Sequence, residues 1–522
     1  MPGFRSAYPV LAVLALLVLA PMAGLLGVTG LATTDSGLGS LWQSQYIRRV
    51  LLFSLWQASL STLLSIGIAL LVARAFAHRG AFPLRGLLLR LFGLPLVVPA
   101  VVVVMGVVSV YGSNGWIPLG RALYGLNGIL LAHVFFNLPL AVRLLLPVWQ
   151  SIPAHHWQLS DQLGLSQWKQ WKYLEWPALR ESLPGVGLLV FMLCLTSFAV
   201  VLTLGGGPRS TTLEVAIYQS LRFDFNPSQA VVLALLQLVL CMLVAWITSR
   251  FHKLPDVEIT VSALPVRNRS NNLFLNTGII TLAALFVGMP LLAMLVDAFN
   301  GPLRQVLNSI ELWHSAGFSL MVGLSAASLS IVAGWALLNT STDLATSSQK
   351  KKAGLMELAG SIVYVVPPLV IGTGLFVLIA PWLNVFEWAF PIVILINAMM
   401  GLPFVIRTLG PAMRQSKMRY NHLCDSLALY GWNRFKFVDW PILRKPLGLS
   451  AALVAALAMG DLGVIALFGT PDTTTLPLLL YQQLSAYRIP QAAVTAAFLL
   501  LSCLLVFWVL ETGIGGKSRV KH

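Results

Sequence analysis

The sequence predicts an all-α integral membrane protein, a bundle of about twelve spanning helices arranged as two parallel sets of six. Three observations predict it. Of 522 residues, 57% are hydrophobic and only 10% charged, with a mean hydropathy of +0.81, whereas soluble domains carry about 25% charged residues. The apolar segments reach about 20 residues, enough for a helix to cross roughly 30 Å of hydrocarbon, and lack the ten-residue alternation of an outer-membrane barrel. A polar stretch, Trp157 to Arg180, recurs at Asn421 to Arg444 with a constant offset of 264 residues.

Taken in order, the spans fall at about 9–30, 50–73, 88–110, 126–148, 184–205 and 228–249, then 274–297, 316–338, 358–381, 388–409, 448–469 and 491–511. Arg5 and Val18-Leu19-Ala20 give the first span some likeness to a secretion signal, but its apolar run is too long for one. Between the two sets lies the most polar connection outside the repeated stretches, with Pro255, Pro265 and an Asn-rich run at 268–272. The division is therefore 1–252, a linker at 253–272, and 273–522. Further echoes support a duplication: Ser54 with Ser319, Pro99 and Gly106 with Pro367 and Gly374, and Thr211-Thr212-Leu213 with Thr474-Thr475-Leu476. An even number of spans per half makes the copies parallel, with a central pathway between them as the natural geometry.

The net charge of +16 sorts by loop and not into a nucleic-acid motif. With the N-terminus inside, 27 of 34 Lys and Arg face the cytoplasm, and Arg48, Arg49, Arg121, Arg209, Arg222, Arg304 and Arg488 face outward. That bias places both termini and both repeated loops in the cytoplasm. Cys194, Cys241, Cys424 and Cys503 have no CxxC spacing and read as small apolar residues. No paired carboxylates, zinc spacing, nucleophile elbow or phosphate-binding GxxxxGK[ST] appears, so the chain is not expected to be an enzyme and binds no cofactor of its own.

Ten of the 24 positions in the repeated loop are identical, among them Asp161/Asp425, Trp168/Trp432, Trp176/Trp440 and Pro177/Pro441. Leu159, Leu163, Trp168 and Trp171, matched by Leu423, Leu427, Trp432 and Phe435, form an apolar set on a short helical segment rimmed by Asp161, Lys169 and Lys172, or Asp425, Arg434 and Lys436. Gly164 and Ala428 fall where a backbone must turn or pack closely. Such a segment either lies on the lipid surface or docks in a groove of a cytoplasmic partner through aromatic anchors; two loops imply two equivalent partner sites.

The loop resembles the EAA motif of bacterial ABC importer permeases, E-A-A-x-x-x-G followed nine residues later by I-x-L-P. The match places Gln158, Leu159, Ser160, Gly164 and Trp176-Pro177 in the first copy, and His422, Leu423, Cys424, Ala428 and Trp440-Pro441 in the second. Neither copy has the glutamate, and the second lacks the glycine. Over nearly its whole length the chain is similar to the fused thiamine importer permeases of proteobacteria, through Ile47 to Ala58, Leu130 to Pro139, Leu204 to Pro208, Gly460 to Val464 and Thr475 to Pro477 with Tyr481-Gln482-Gln483. The resemblance implies the MetI-like (type I importer) permease fold in the bacterial inner membrane. It also implies two copies of a cytoplasmic ABC ATPase holding the ATP and Mg, and a periplasmic protein that delivers thiamine or its phosphates. Fused ferric-iron permeases share length, fold and loop, leaving iron as the alternative cargo. A secondary transporter driven by protons or sodium is the other class, and it would need ionisable relays at the midplane.

Asp461 is the carboxylate placed well inside a span, where it either meets cargo or caps a helix break beside Gly460 and Gly463. Its counterpart is Ser197. His133 and Asn137, four apart on one helix face, are further pathway or gating candidates, with interhelical hydrogen bonding the commoner use. Tyr218, Gln219, Tyr481 and Gln482 lie in outer loops where a delivery protein would dock. Lys350-Lys351-Lys352 reads as a solvated run near headgroups, and Gly205-Gly206-Gly207 as a turn.

Overall fold

The computed structural model describes residues 4–31, 44–80, 82–250, 273–346, 349–361 and 365–516. The linker expected at 253–272 lies outside them. Among the described residues all regular structure is helical, and ten helices are long and apolar enough to cross a membrane. The chain is a multi-pass membrane protein.

We label α1 Phe4–Leu31, α2 Gln45–His78, α3 Ala100–Tyr111, α4 Leu126–Gln150, α5 Trp176–Leu195 and α6 Pro227–Arg250. The second set is α7 Leu273–Asn300, α8 Ile310–Thr346, α9 Pro368–Ile379, α10 Ala389–Ser426, α11 Trp440–Met459 and α12 Ile489–Gly515. Helices are the natural solution because each satisfies its own backbone in a medium without water. Pro139, Pro147, Pro403 and Pro411 sit inside α4 and α10, as membrane helices tolerate.

Four of the twelve expected spans are not continuous. The stretch 88–110 divides into Arg85–Leu91, Leu94–Leu96 and α3, and 358–381 into Lys350–Ser361 and α9. Pro99 and Pro367 precede α3 and α9; proline donates no N–H and disfavours a helical predecessor, so the helix restarts there. Each 12-residue piece rises only about 18 Å, short of a full crossing. The spans expected at 184–205 and 448–469 are also interrupted, at Thr196–Phe198 and at Gly460–Leu462, before short helices Ala199–Leu204 and Gly463–Phe468.

The two sets are interlocked. Helix α1 packs on α9 and α8, while α7 packs on α3, α2 and α12. Where α3 crosses α7, a Cβ on Gly106 would stand 2.7 Å from the Pro290 carbonyl oxygen, and where α9 crosses α1, one on Gly374 would stand 2.6 Å from that of Pro21. Only glycine permits backbones so close. The serine echo has an equally specific origin. Ser54 Oγ on α2 accepts from the Leu213 N–H at 2.9 Å, and Ser319 Oγ on α8 from the Leu476 N–H at 2.8 Å. Each thereby satisfies a first-turn amide of the helices Leu213–Arg222 and Leu476–Ser485.

Candidate functional site: the two loops

The repeated loops take one shape twice. In the first, the helix Ala154–Gln162 ends at Leu163, Gly164 turns the chain with φ +59°, and a new helix begins at Gln167. In the second, α10 ends at Leu427, Ala428 turns it with φ +48°, and a helix begins at Gly431. The left-handed turn explains the glycine expected at this position, and the second copy holds alanine there against its preference.

Past the turn, one wide π turn, Trp171–Glu175 or Phe435–Asp439, leads into α5 or α11. Pro177 and Pro441 follow; neither can donate to the residue four back, and the backbone widens to go round the missing bond.

The turn leaves an apolar set uncovered. Leu163 and Trp168 are 64% and 71% exposed, Leu427 and Trp432 60% and 72%. Leu159 and Leu423 are exposed beside them, with Gln158, Asp161, His422 and Asp425 around. Each loop thus exposes the same apolar side chains at the same positions. Other expected members turn inward: Ser160 and Cys424 are buried and brace the helix from beneath. Trp171 packs on Trp149 and Trp176, and Phe435 on Trp335 and Trp440, so these two anchor the loop to its own bundle.

A group the sequence did not single out fixes the first loop. Glu175, fully buried, accepts from Arg74 Nε at 2.8 Å and Nη2 at 3.1 Å and from Trp149 Nε1 at 2.9 Å, and His78 Nε2 stands 3.2 Å away. Arg74 and His78 are the last turns of α2, so the carboxylate ties loop, α2 and α4 together. The second loop is held differently. Asp439, at the position of Glu175, contacts Ser416 at 3.3 Å and its own loop's Arg434 at 3.4 Å. Lys417 on α10 instead reaches Asn339 Oδ1 at 2.8 Å and Asp343 Oδ1 at 2.6 Å on α8. Asn339 and Asp343 occupy the positions of Arg74 and His78 at an offset of 265: the second half ties the same end of its helix with inverted charge, from Lys417 on α10 and not from the loop acid. The only sequence signal was an acid at the same place in both loops.

No family model matches the chain. The thiamine transport system permease protein of Brucella abortus is 42% identical over 487 residues, covering 91% of this chain and 89% of that one. That of Escherichia coli K12 is 43% identical over 484 residues, 90% of each, and that of Haemophilus influenzae 40% over 480 residues, 90% and 89%. The chain belongs to the thiamine transport permease family. A cyanobacterial sulfate transport permease from Synechocystis is similar over 176 residues only, at 28% identity.

In this permease the pathway candidates do not form one cluster. His133 is buried on α4 with Nδ1 2.9 Å from Ser61 Oγ, and buried Asn137 donates to Cys194 Sγ at 3.2 Å. Both are interhelical ties within the first half. Asp461 lies in the break after α11, half-buried, accepting from the backbone of Gly463 at 3.1 Å and Val464 at 3.2 Å and from Asn397 Nδ2 at 3.3 Å. It caps the restart of the helix, the second of the two roles expected for it. Asn397 is the counterpart of His133 at the offset of 264. Ser197 occupies the matching break, half-buried. The halves meet here: a Cβ on Gly460 would stand 2.8 Å from Pro99, and one on Gly463 3.8 Å from Phe198.

Of the expected docking residues, Tyr218 is buried, Gln219 and Tyr481 are half-buried, and Gln482 is exposed. Tyr218 is therefore no surface contact. Its ring lies against Phe198 and Phe223, and burial, then the neighbouring Tyr481, pushes its phenol up to about 12. Tyr218 and Tyr481 are counterparts at an offset of 263, and they meet where the halves join. A further buried acid, Glu214, accepts from Gln237 Nε2 at 3.2 Å. Its counterpart is Pro477, so the repeat gave no hint of it.

Proposed function

We propose that this chain is the translocation subunit of an ATP-driven importer that passes thiamine, and its phosphates, across the bacterial inner membrane by alternating access. Its two repeats would be 1–252 and 273–522, joined by 253–272, with both termini in the cytoplasm. A periplasmic binding protein delivers the cargo. Two copies of a cytoplasmic ATPase, which hold the ATP and Mg, each receive one loop. The observation that carries this reading is the pair of exposed apolar sets at Leu163 and Trp168 and at Leu427 and Trp432, in a chain similar over about nine-tenths of its length to thiamine transport permeases.

The loops couple mechanically. Each exposed set continues through a proline-bounded wide turn into α5 or α11, so a displacement of the loop is delivered to a helix that runs to the break at the junction of the halves. The first loop also pulls on α2 and α4 through Glu175. Closing of an ATPase dimer would shift both loops together and rotate one half against the other.

The test is uptake of labelled thiamine by cells carrying the chain with and without its ATPase and binding protein, with ferric iron as control cargo. Accumulation of thiamine that needs all three components is the expected result. Iron accumulation with the same dependence would replace the cargo, and uptake by the chain alone would replace the mechanism.

A further inference from the structure

At the end of α2 away from the loops lies a groove of about 510 Å³ formed by Gln45, Arg48, Arg49, Leu52, Phe53 and Trp56, with Arg209 from the turn Pro208–Ser210 on its other side. The α2 residues recur every three or four positions, so they share one face. Arg48, Arg49 and Arg209 are exposed and have no ion pair or side-chain hydrogen bond among the described residues. We propose that this groove holds an anionic phospholipid of the leaflet at that end, its phosphate between the three guanidinium groups and its acyl chain along Leu52, Phe53 and Trp56.

Three features of the groove select that ligand. The charge lies at the top and the apolar wall runs down from it: Gln45 and Trp56 are eleven residues apart, about 16 Å along a helix. A docked water-soluble protein could touch the arginines at the rim but would leave Leu52 and Trp56 to the bilayer, whereas one amphiphile satisfies both ends. Planar guanidinium forks bind phosphate oxygens bidentately, and three with no carboxylate among them leave a net positive site of the right sign.

The charge is also not a by-product of the repeat. At the same offsets the second half has Trp313, His314 and Asp472 in place of Arg48, Arg49 and Arg209. Nor does topology ask for it, since three of only seven arginines on that side of the charge distribution gather here, where cations are depleted.

The experiment is native mass spectrometry of the full chain, purified in detergent and supplied with equimolar phosphatidylglycerol and phosphatidylethanolamine. The wild type is expected to retain phosphatidylglycerol at least fivefold over phosphatidylethanolamine. The triple variant Arg48→Gln/Arg49→Gln/Arg209→Gln should lose that preference. Should the triple variant fail to fold, Arg209→Gln alone, outside α2, should reduce the preference about twofold to threefold, and Arg304→Gln, an exposed arginine of the second half, should leave it unchanged. Equal retention of the two lipids by the wild type, or unchanged preference in the triple or the Arg209→Gln variant, overturns the proposal. Loss of binding-protein capture with lipid preference intact would do so in favour of a protein partner.

Discussion

Replacing Glu175 with glutamine should loosen the first loop far more than replacing Asp439 with asparagine loosens the second. Glu175 is fully buried and its two oxygens take both forks of Arg74, the Trp149 indole and a contact with His78. Removing one charge of a buried pair typically costs 3–5 kcal/mol, because the partner is left uncompensated. Arg74 keeps 30% of its side chain in contact with solvent, which relieves part of that penalty and sets the expectation at the low end, about 3 kcal/mol. Asp439 faces one arginine at 3.4 Å and both are partly solvated, so its loss should cost under about 1 kcal/mol.

Hydrogen exchange of the purified chain, followed by mass spectrometry over residues 171–183 and 435–447, reads the two local stabilities directly. At about 1.4 kcal/mol per factor of ten, Glu175→Gln should speed exchange in its own segment by somewhat over a hundredfold, and Asp439→Asn by fivefold or less in the other. Equal acceleration in the two segments, or less than tenfold for Glu175→Gln, would refute the claim that the first loop hangs on one buried carboxylate.

Four other outcomes follow from the same geometry. Trp168→Ala with Trp432→Ala should leave melting of the solubilised protein within about 0.5 kcal/mol of the parent, since both rings are exposed, while thiamine uptake falls at least tenfold; retained uptake would exclude the docking role. Gly374→Leu should force α9 from Pro21 and cost about 1–3 kcal/mol, lowering monodisperse yield on gel filtration, whereas Gly278→Leu, with open space at its Cβ, should not. Gly164→Ala should destabilise and Ala428→Gly stabilise, each by about 1 kcal/mol in thermal melts, because both positions are left-handed; the same sign for both would contradict the turn. Asp461→Asn keeps the shape of the cap on Gly463 and Val464 and removes its charge, so a cation pathway predicts lost uptake at unchanged melting temperature, and parallel loss of both would assign Asp461 to packing alone.

What was legible in the sequence is what the repeat wrote twice. Leu163, Trp168 and Pro177 could be matched to Leu427, Trp432 and Pro441 because interaction and re-entry need the same side chains in both copies. The breaks at Pro99 and Pro367 escaped hydropathy, which scores a stretch as apolar whether or not its backbone can continue as a helix. Glu175 escaped because its partner Arg74 lies 101 residues away, and the second copy answers the same need with the opposite charges of Asp343 and Lys417. Tyr218 was misplaced because an outer-loop position says nothing about whether a ring faces water or the junction of two halves.

The crossing of α1 by α9 has a consequence for how the protein is made. Pro21 leaves the ribosome long before Gly374, against which it packs in the finished bundle; at roughly 5–20 residues per second, the 353 positions that separate them take on the order of 20–70 s. Helix α7 finds one wall ready, since α3 is already in the bilayer when Pro290 arrives, and waits only for α12. During biosynthesis the first helix is thus a lodger whose main wall comes only when the ninth is threaded, and the leading half is completed only by the trailing one.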